Sequence, residues 1–477
     1  MLLREGRLGE ISDDVLEFIS SREADSWIFE SDLLVDRAHL IMLREAGLIT
    51  KGDSSRIIQA LDRIDASDLG PGEDVHEAIE AYLISQVGEV GGRMHTGRSR
   101  NDEVATCIRL ALRDEILSLM DEVLSLIETI WRRADEFRET LSPGFTHTQH
   151  AQPTTLAHHL IAHGDALSRD LDRLLDAYPR LNKSPLGSAA FASTGFPIDR
   201  RRTCELLGFD AIIENSMDAV STRDFILEVL SALSILMINL SRIAEELILW
   251  STTEFAYIEI DDLFASTSSI MPQKKNPDTA ELVRAKAGSV LGSLTSALAI
   301  CKALPLSYNR DLQEVTPHLR RALSWTRGST RIMDGCMSSV RFDVDRLEKS
   351  AGSGFSTATE LADSLVRKTG IPFRKAHRIV GTIAASGDLP EIEDLDRAAE
   401  PLGIRPSEMG FGKKDLDEAL DPRRNVAKRD LPGGPAPSEV SRMLEEREGG
   451  LVRYRSKVGE MRERAERALH QLRSITS

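Results

Sequence analysis

Two stretches free of both glycine and proline, 99–142 and 209–253, constrain what this chain can become more than any other feature. In the first, Ile108, Leu112, Ile116, Leu119, Val123, Leu126, Ile130, Ala134 and Phe137 recur every three or four positions, the spacing of one apolar helix face. In the second, Ile226, Val229, Leu233, Leu236, Leu240, Ile243, Leu247 and Trp250 form a heptad-like stripe. At the rise of an α-helix either would be on the order of 50 Å long. Helices of that length need equally long partners, and the patterns over 154–178, 278–303 and 317–349 supply them. The chain therefore reads as all-α, a three-part protomer: a small helical region over 1–98, a long-helix bundle over 99–349 and a small helical region over 350–477. The apolar stripes are too extensive for one protomer, so bundles from several subunits are expected to pack together.

Composition narrows the function classes. Lys and Arg number 60 against 76 Asp and Glu, a net charge of −16, which repels nucleic-acid phosphate and argues against a nucleic-acid partner. No run of about 18 apolar residues is evident, so no membrane span is expected. Met1–Glu10 lacks the apolar centre of a secretory signal, and the expected setting is the cytoplasm. Cys107, Cys204, Cys301 and Cys336 are too scattered for a disulfide framework or a cysteine zinc site.

Three polar segments interrupt the helices. The first, Gly91–Asp102, places Arg93, Arg98 and Arg100 at a helix start capped by Ser99 and Asp102. Cations are disfavoured there by the helix dipole, and an arriving anion would explain them. The second, Ser142–Pro153, holds His147 and His150 among threonines and glutamines, a setting suited to hydrogen bonding and proton transfer near neutral pH. Further on, His158, His159 and His163 read as helix-face residues. No Asp or Glu lies within 140–164, so no metal site is expected. The third, Ala265–Asp278, joins four hydroxyl residues to Met271-Pro272 and the pair Lys274-Lys275, with Asn276 and Pro277 as the start of the next helix. Cations beside a serine lower the cost of an ionised hydroxyl or of a carboxylate-like intermediate.

Together the segments resemble the fumarase/aspartase superfamily, whose signature loop Ser-Ser-x-Met-Pro-x-Lys-x-Asn is matched by Ser268 to Asn276. Within it the chain is similar to the argininosuccinate lyases. That likeness rests on His95–Asp102, Thr146-His147 with Gln152-Pro153, Asn215–Asp218 with Arg223–Phe225, Gln273–Asp278 and Tyr308–Gln313. The resemblance implies a homotetramer whose active sites are shared between subunits. It also implies reversible β-elimination of argininosuccinate to arginine and fumarate through an aci-carboxylate carbanion, with no metal or cofactor, as the last step of arginine biosynthesis. Ser268 and His147 would be base and acid, or the reverse, with Glu281 holding the imidazole. Lys274 and Asn276 would bind the carboxylate that gains charge. Arg100, Asn101, Thr146 and Arg223 would hold the succinyl carboxylates, while Ser21, Asp25, Asp74, Tyr308 and Gln313 would read the arginine part.

Four departures from the family pattern stand out. The opening is reduced to Gly6-Arg7-Leu8, Thr267 replaces a glycine, His150 replaces a common arginine, and Thr316 stands where a substrate-contacting lysine is usual, with Arg320 one turn on as a substitute. Two alternatives follow: a related lyase releasing fumarate from another succinyl-amine adduct such as adenylosuccinate, or a catalytically silent crystallin-like homologue.

Overall fold

The computed structural model describes residues 11–70, 72–385 and 389–475; Gly6-Arg7-Leu8 lies outside them. The helices and strands that position the site are α1 (Phe29–Glu45), α2 (Val75–Val87), α3 (Arg100–Glu136), β1 (Leu141–Thr146), β2 (Gln149–Thr155), α4 (Leu156–Leu181), α5 (Asp224–Trp250), β3 (Ser266–Thr267), β4 (Lys275–Asn276), α6 (Asp278–Cys301), α7 (Val315–Ser339) and α8 (Pro437–Ser474). Helices α3 to α7 form the bundle: α3 packs on α4 and α7, and α5 lies against α4, α6 and α7.

The long helices form where the apolar stripes lie. Ser99 caps α3, its side chain accepting from Asn101 N while Asp102 accepts from Ser99 N. Ile108, Leu112, Ile116, Leu119 and Val123 are fully or almost fully buried, each contributing about 1.5–3 kcal/mol relative to exposure. The eight stripe residues of α5 are likewise buried. By length and composition α5 is apolar enough to cross a membrane, with a mean hydropathy of 1.7 over its most apolar window, a property the sequence reading did not register; 56% of that window is buried in the molecule.

Several boundaries differ from expectation, each for a local reason. Helix α3 stops at Glu136 because the chain turns there, Thr140 N donating to Phe137 O. The stretch 209–223 is not helical throughout: Ala211–Ile212 pairs in parallel with Lys183–Ser184, and Asn215 caps a separate short helix, Ser216–Ser221. The pattern over 317–349 is two helices, because Arg341–Phe342 pairs with Ile258–Glu259 and Asp343 caps a new start. The polar stretch Ser142–Pro153 is a β-hairpin, not an irregular loop.

The apolar core does not break at residue 98: Val35, Leu40, Ile57 and Ile79 are continuous with the bundle. Beyond residue 350, Leu361, Leu365, Ile379, Leu395, Phe411 and Leu416 form a separate cluster. Helix α8 does not join them. It returns to pack on α3 and α1, bringing Val440, Leu444, Val458 and Leu472 into the main core.

Candidate active site

Five distant chain segments meet in a cavity of about 220 Å³. It is lined by Ser21 and Asp25 from the N-terminal region, Asp74 at the start of α2, Arg100 and Asn101 at the start of α3, Arg223 just before α5, and Tyr308, Gln313 and Thr316 near the start of α7. Helix starts dominate this wall. Asp74 caps α2 by accepting from Glu77 N at 2.8 Å and uses its other oxygen for Arg100 Nη1 at 2.8 Å. Ser21 donates its hydroxyl to Asp25, Asn101 Nδ2 donates to Ala190 O at 3.0 Å, and Gln313 Nε2 donates to Ile19 O at 3.3 Å. Burial pushes the Asp25 carboxyl up to about 6, with the charge of His76 and the Ser21 hydroxyl pulling the other way. Burial lowers the Arg223 guanidinium from its ordinary range and raises the Tyr308 phenol. Arg100 Nη2 and Arg223 Nε are buried donors with no acceptor among the described residues. Paired carboxylates and cations on one small surface suit a ligand that carries both charges, as an amino-acid head group does.

Beneath the cavity lies a charged layer that the sequence reading missed. His76 Nδ1 sits 2.7 Å from Asp32 Oδ2. Arg98 reaches Asp36 at 2.6 Å and Glu103 at 2.8 Å. Cys107 Sγ donates to Asp32 Oδ1 at 3.3 Å, and all of these side chains are buried. Burial alone would lower His76, but Asp32 and Glu103 outweigh it and push the imidazole up to about 10. This layer fixes the segments that carry the cavity residues, since His76 and Arg98 are each two positions from Asp74 and Arg100. A signal was present: helical spacing buries Asp32 and Asp36 with the apolar residues of α1, and buried charges must be paired.

The remaining predicted residues lie at the other end of the bundle. His147 is the tip of the β1–β2 hairpin. Thr146 pairs with Gln149, leaving His147 and Thr148 as a two-residue turn with φ of 55° and 57°. Both are left-handed, where hairpin turns prefer Asn-Gly, and a β-branched residue is rare there. The turn holds Thr146 and His147 exposed. Ser268 follows β3, and its Oγ accepts from Met271 N at 3.0 Å and Ile270 N at 3.3 Å, while Ser268 N donates to Lys274 O. Two N–H groups aimed at one hydroxyl oxygen favour its ionised form. Lys275 is engaged by Asp262 and Glu259, whereas the ammonium of Lys274 has no ion pair among the described residues. Asn276 lies in β4 and Glu281 is exposed on the first turn of α6.

Helix geometry sets the separation. The end of α6 at Cys301 is beside Arg223, and Glu281 lies roughly 30 Å back along the helix. Arg100 begins α3 and the hairpin follows its far end, roughly 55 Å away. The hairpin and the Ser268 loop share the distal end, where Arg133 donates to Val340 O and Thr279 to Phe264 O. Yet no hydrogen bond, ion pair or ring contact joins His147 to Ser268, Lys274 or Glu281 among the described residues.

Some expectations need correction. The arginines at the start of α3 do not await an anion as a group: Arg98 is paired internally and Arg93 reaches Asp53 at 2.7 Å, leaving only Arg100 at the cavity. Helix α6 starts at Asp278 with Pro277, not Asn276, at the cap position, because Asn276 is held in β4 against Ser266. Arg320 does not stand in beside Thr316; it lines a neighbouring cavity and donates to Glu23 O at 2.9 Å, and the cations that line the cavity with Thr316 are Arg100, Arg223 and Arg310. His150 packs edge-on against Phe145.

Comparison with known proteins identifies the family. Residues 23–292 match the lyase family model, and 355–427 match that of the argininosuccinate lyase C-terminal region. The argininosuccinate lyase of Methanothrix thermoacetophila is 64% identical, covering 99% of this chain and 98% of its own length. That of Methanosarcina mazei is 53% identical over 99% and 98%. Among solved structures, EDDS lyase in complex with formate superimposes with a TM-score of 0.87 at 32% identity, covering 97% of this chain and 95% of that one.

Proposed function

The chain belongs to the argininosuccinate lyase family of the fumarase/aspartase superfamily, and we propose that it cleaves argininosuccinate reversibly to arginine and fumarate, the closing step of arginine biosynthesis. The observation that carries this reading is near-full-length identity to proteins of that activity, joined to a cavity whose paired Asp and Arg side chains suit an amino-acid head group.

The residues divide the reaction between them. In the cavity, Asp25 and Asp74 face the cationic groups of the arginine part, with Ser21, Tyr308 and Gln313 completing its outline. Arg100, Asn101 and Arg223 offer donors to carboxylate. A proton leaves the carbon next to a carboxylate, and the charge spreads onto that carboxylate as the aci form. Lys274, without an ion pair among the described residues, and Asn276 neutralise it. Ser268, with two backbone N–H groups on its oxygen, is assigned as the base. His147 is the acid that protonates the departing guanidino nitrogen, oriented by Glu281.

These groups converge only if chains associate. One chain holds the cavity at one end of a bundle roughly 50 Å long and the hairpin and Ser268 loop at the other, so a complete site takes its parts from neighbouring subunits of a homotetramer. Exposed apolar side chains of α6 support the association: Leu282, Leu291 and Leu298 are exposed, and Gly288 and Gly292 have open space before them. The proposed setting is cytoplasmic. The test follows fumarate's ultraviolet absorbance after adding argininosuccinate: a rise is expected, whereas a rise with adenylosuccinate alone would move the assignment to that substrate. Silence with both would leave the silent-homologue reading.

A further inference from the structure

Away from these groups, three metal-ligating side chains meet between α4 and α5. His159 and His163 are one turn apart on α4, and Glu246 faces them from α5. A single carboxylate oxygen, Glu246 Oε2, takes His159 Nε2 at 2.6 Å and His163 Nε2 at 2.7 Å. The three donor atoms lie within 4.8 Å of one another. Their side chains are 28%, 14% and 36% exposed, so an ion can reach them from solvent.

Two histidines at i and i+4 present their nitrogens to one point, and two imidazoles with one carboxylate are a donor set of zinc sites that keep a fourth position for water. Tetrahedral zinc spaces its donors by about 3.3 Å. The two nitrogen–oxygen separations need to open by less than about 1 Å, within reach of side-chain rotation. The absence of acidic residues from 140–164 argued against metal in the sequence; the carboxylate comes from a helix more than eighty residues away. We propose that His159, His163 and Glu246 bind one divalent transition-metal ion, zinc by the chemistry of the donors, which clamps α4 to α5. The clamp sits close to the root of the β1–β2 hairpin, because β2 ends at Thr155 where α4 begins. It serves position, and no step of the elimination runs through it.

The experiment uses the full-length protein stripped with chelator, dialysed and titrated with Zn²⁺, and in parallel with Co²⁺. One ion per chain is expected, with a visible cobalt absorption band and partial quenching of tryptophan fluorescence, since the Trp250 ring is 4.9 Å from that of His159. His159→Gln, His163→Gln and Glu246→Gln should each weaken binding by roughly tenfold or more, and Trp250→Phe should remove the quenching while keeping the ion. His159→Gln, the more exposed of the two histidine changes, serves where His163→Gln disturbs folding. Zinc uptake unchanged in the ligand variants, or none in the unaltered protein, would overturn the proposal and leave Glu246 as a plain acceptor of two N–H groups.

Discussion

The two ends of the bundle are built on opposite principles. At the cavity end nearly every charge already has a partner: Asp74 with Arg100, Arg310 with Glu73, and below them the buried set of Asp32, Asp36, His76, Arg98 and Glu103. At the distal end the candidate His147 and Lys274 side chains are left without ion pairs among the described residues, and His147 is exposed on a strained turn. Recognition is pre-organised inside one chain, where paired charges hold their geometry without help. In the proposed reaction, proton transfer waits until another chain supplies the rest.

The largest effects should come from the distal end. Ser268→Ala and His147→Asn are each expected to lower kcat by about 10²–10⁴-fold while leaving the cavity intact, read by steady-state turnover alongside sedimentation. Mixing the two inactive proteins should restore part of the turnover. Full turnover in either variant, or no recovery on mixing, would erase the distinction between the two ends.

At the cavity end the effect should appear in KM and in pH dependence. Asp25 is pushed from 3.8 to about 6 by burial, so its protonated form is favoured in the folded chain. Its contribution to stability is therefore fully present at low pH and is lost as pH rises through about 6. Above that, the charged form costs on the order of 3 kcal/mol. Asp25→Asn should thus raise the melting temperature at about pH 8, by an amount that shrinks as pH falls through about 6. The same change should raise KM, and the rise of the unaltered protein's KM below about pH 6 should vanish. A KM untouched by Asp25→Asn would remove this carboxylate from recognition.

The smallest effect concerns the strained turn. Thr148→Gly relieves a left-handed β-branched residue and should stabilise the chain by about 1 kcal/mol, read by chemical denaturation. A loss of stability instead would mean that the Thr148 hydroxyl, which donates to His147 O at 2.6 Å, matters more to the hairpin than its backbone strain.

Helices carried by long apolar stripes were legible residue by residue, because periodicity is local and burial enforces it. The eight stripe positions of α5 are all inside. The capping box at Ser99 and Asp102 was legible for the same reason. What failed was non-local. The β-hairpin at 141–155 has little strand-like composition and is held by cross-strand pairing. The arginines of the first polar segment looked unpaired because Asp36 and Asp53 lie 62 and 40 residues away.

By itself the sequence determined the all-α bundle, the cap of α3 and the motifs that mark the family, since each depends on neighbours a few positions apart. Only the tertiary structure decided which charges would be neutralised, which would line a cavity, and that the cavity residues and the hairpin and Ser268 loop would stand at opposite ends. Electrostatic pairing acts over a few ångströms of space whatever the distance along the chain, and that spatial proximity exists only once the helices have packed.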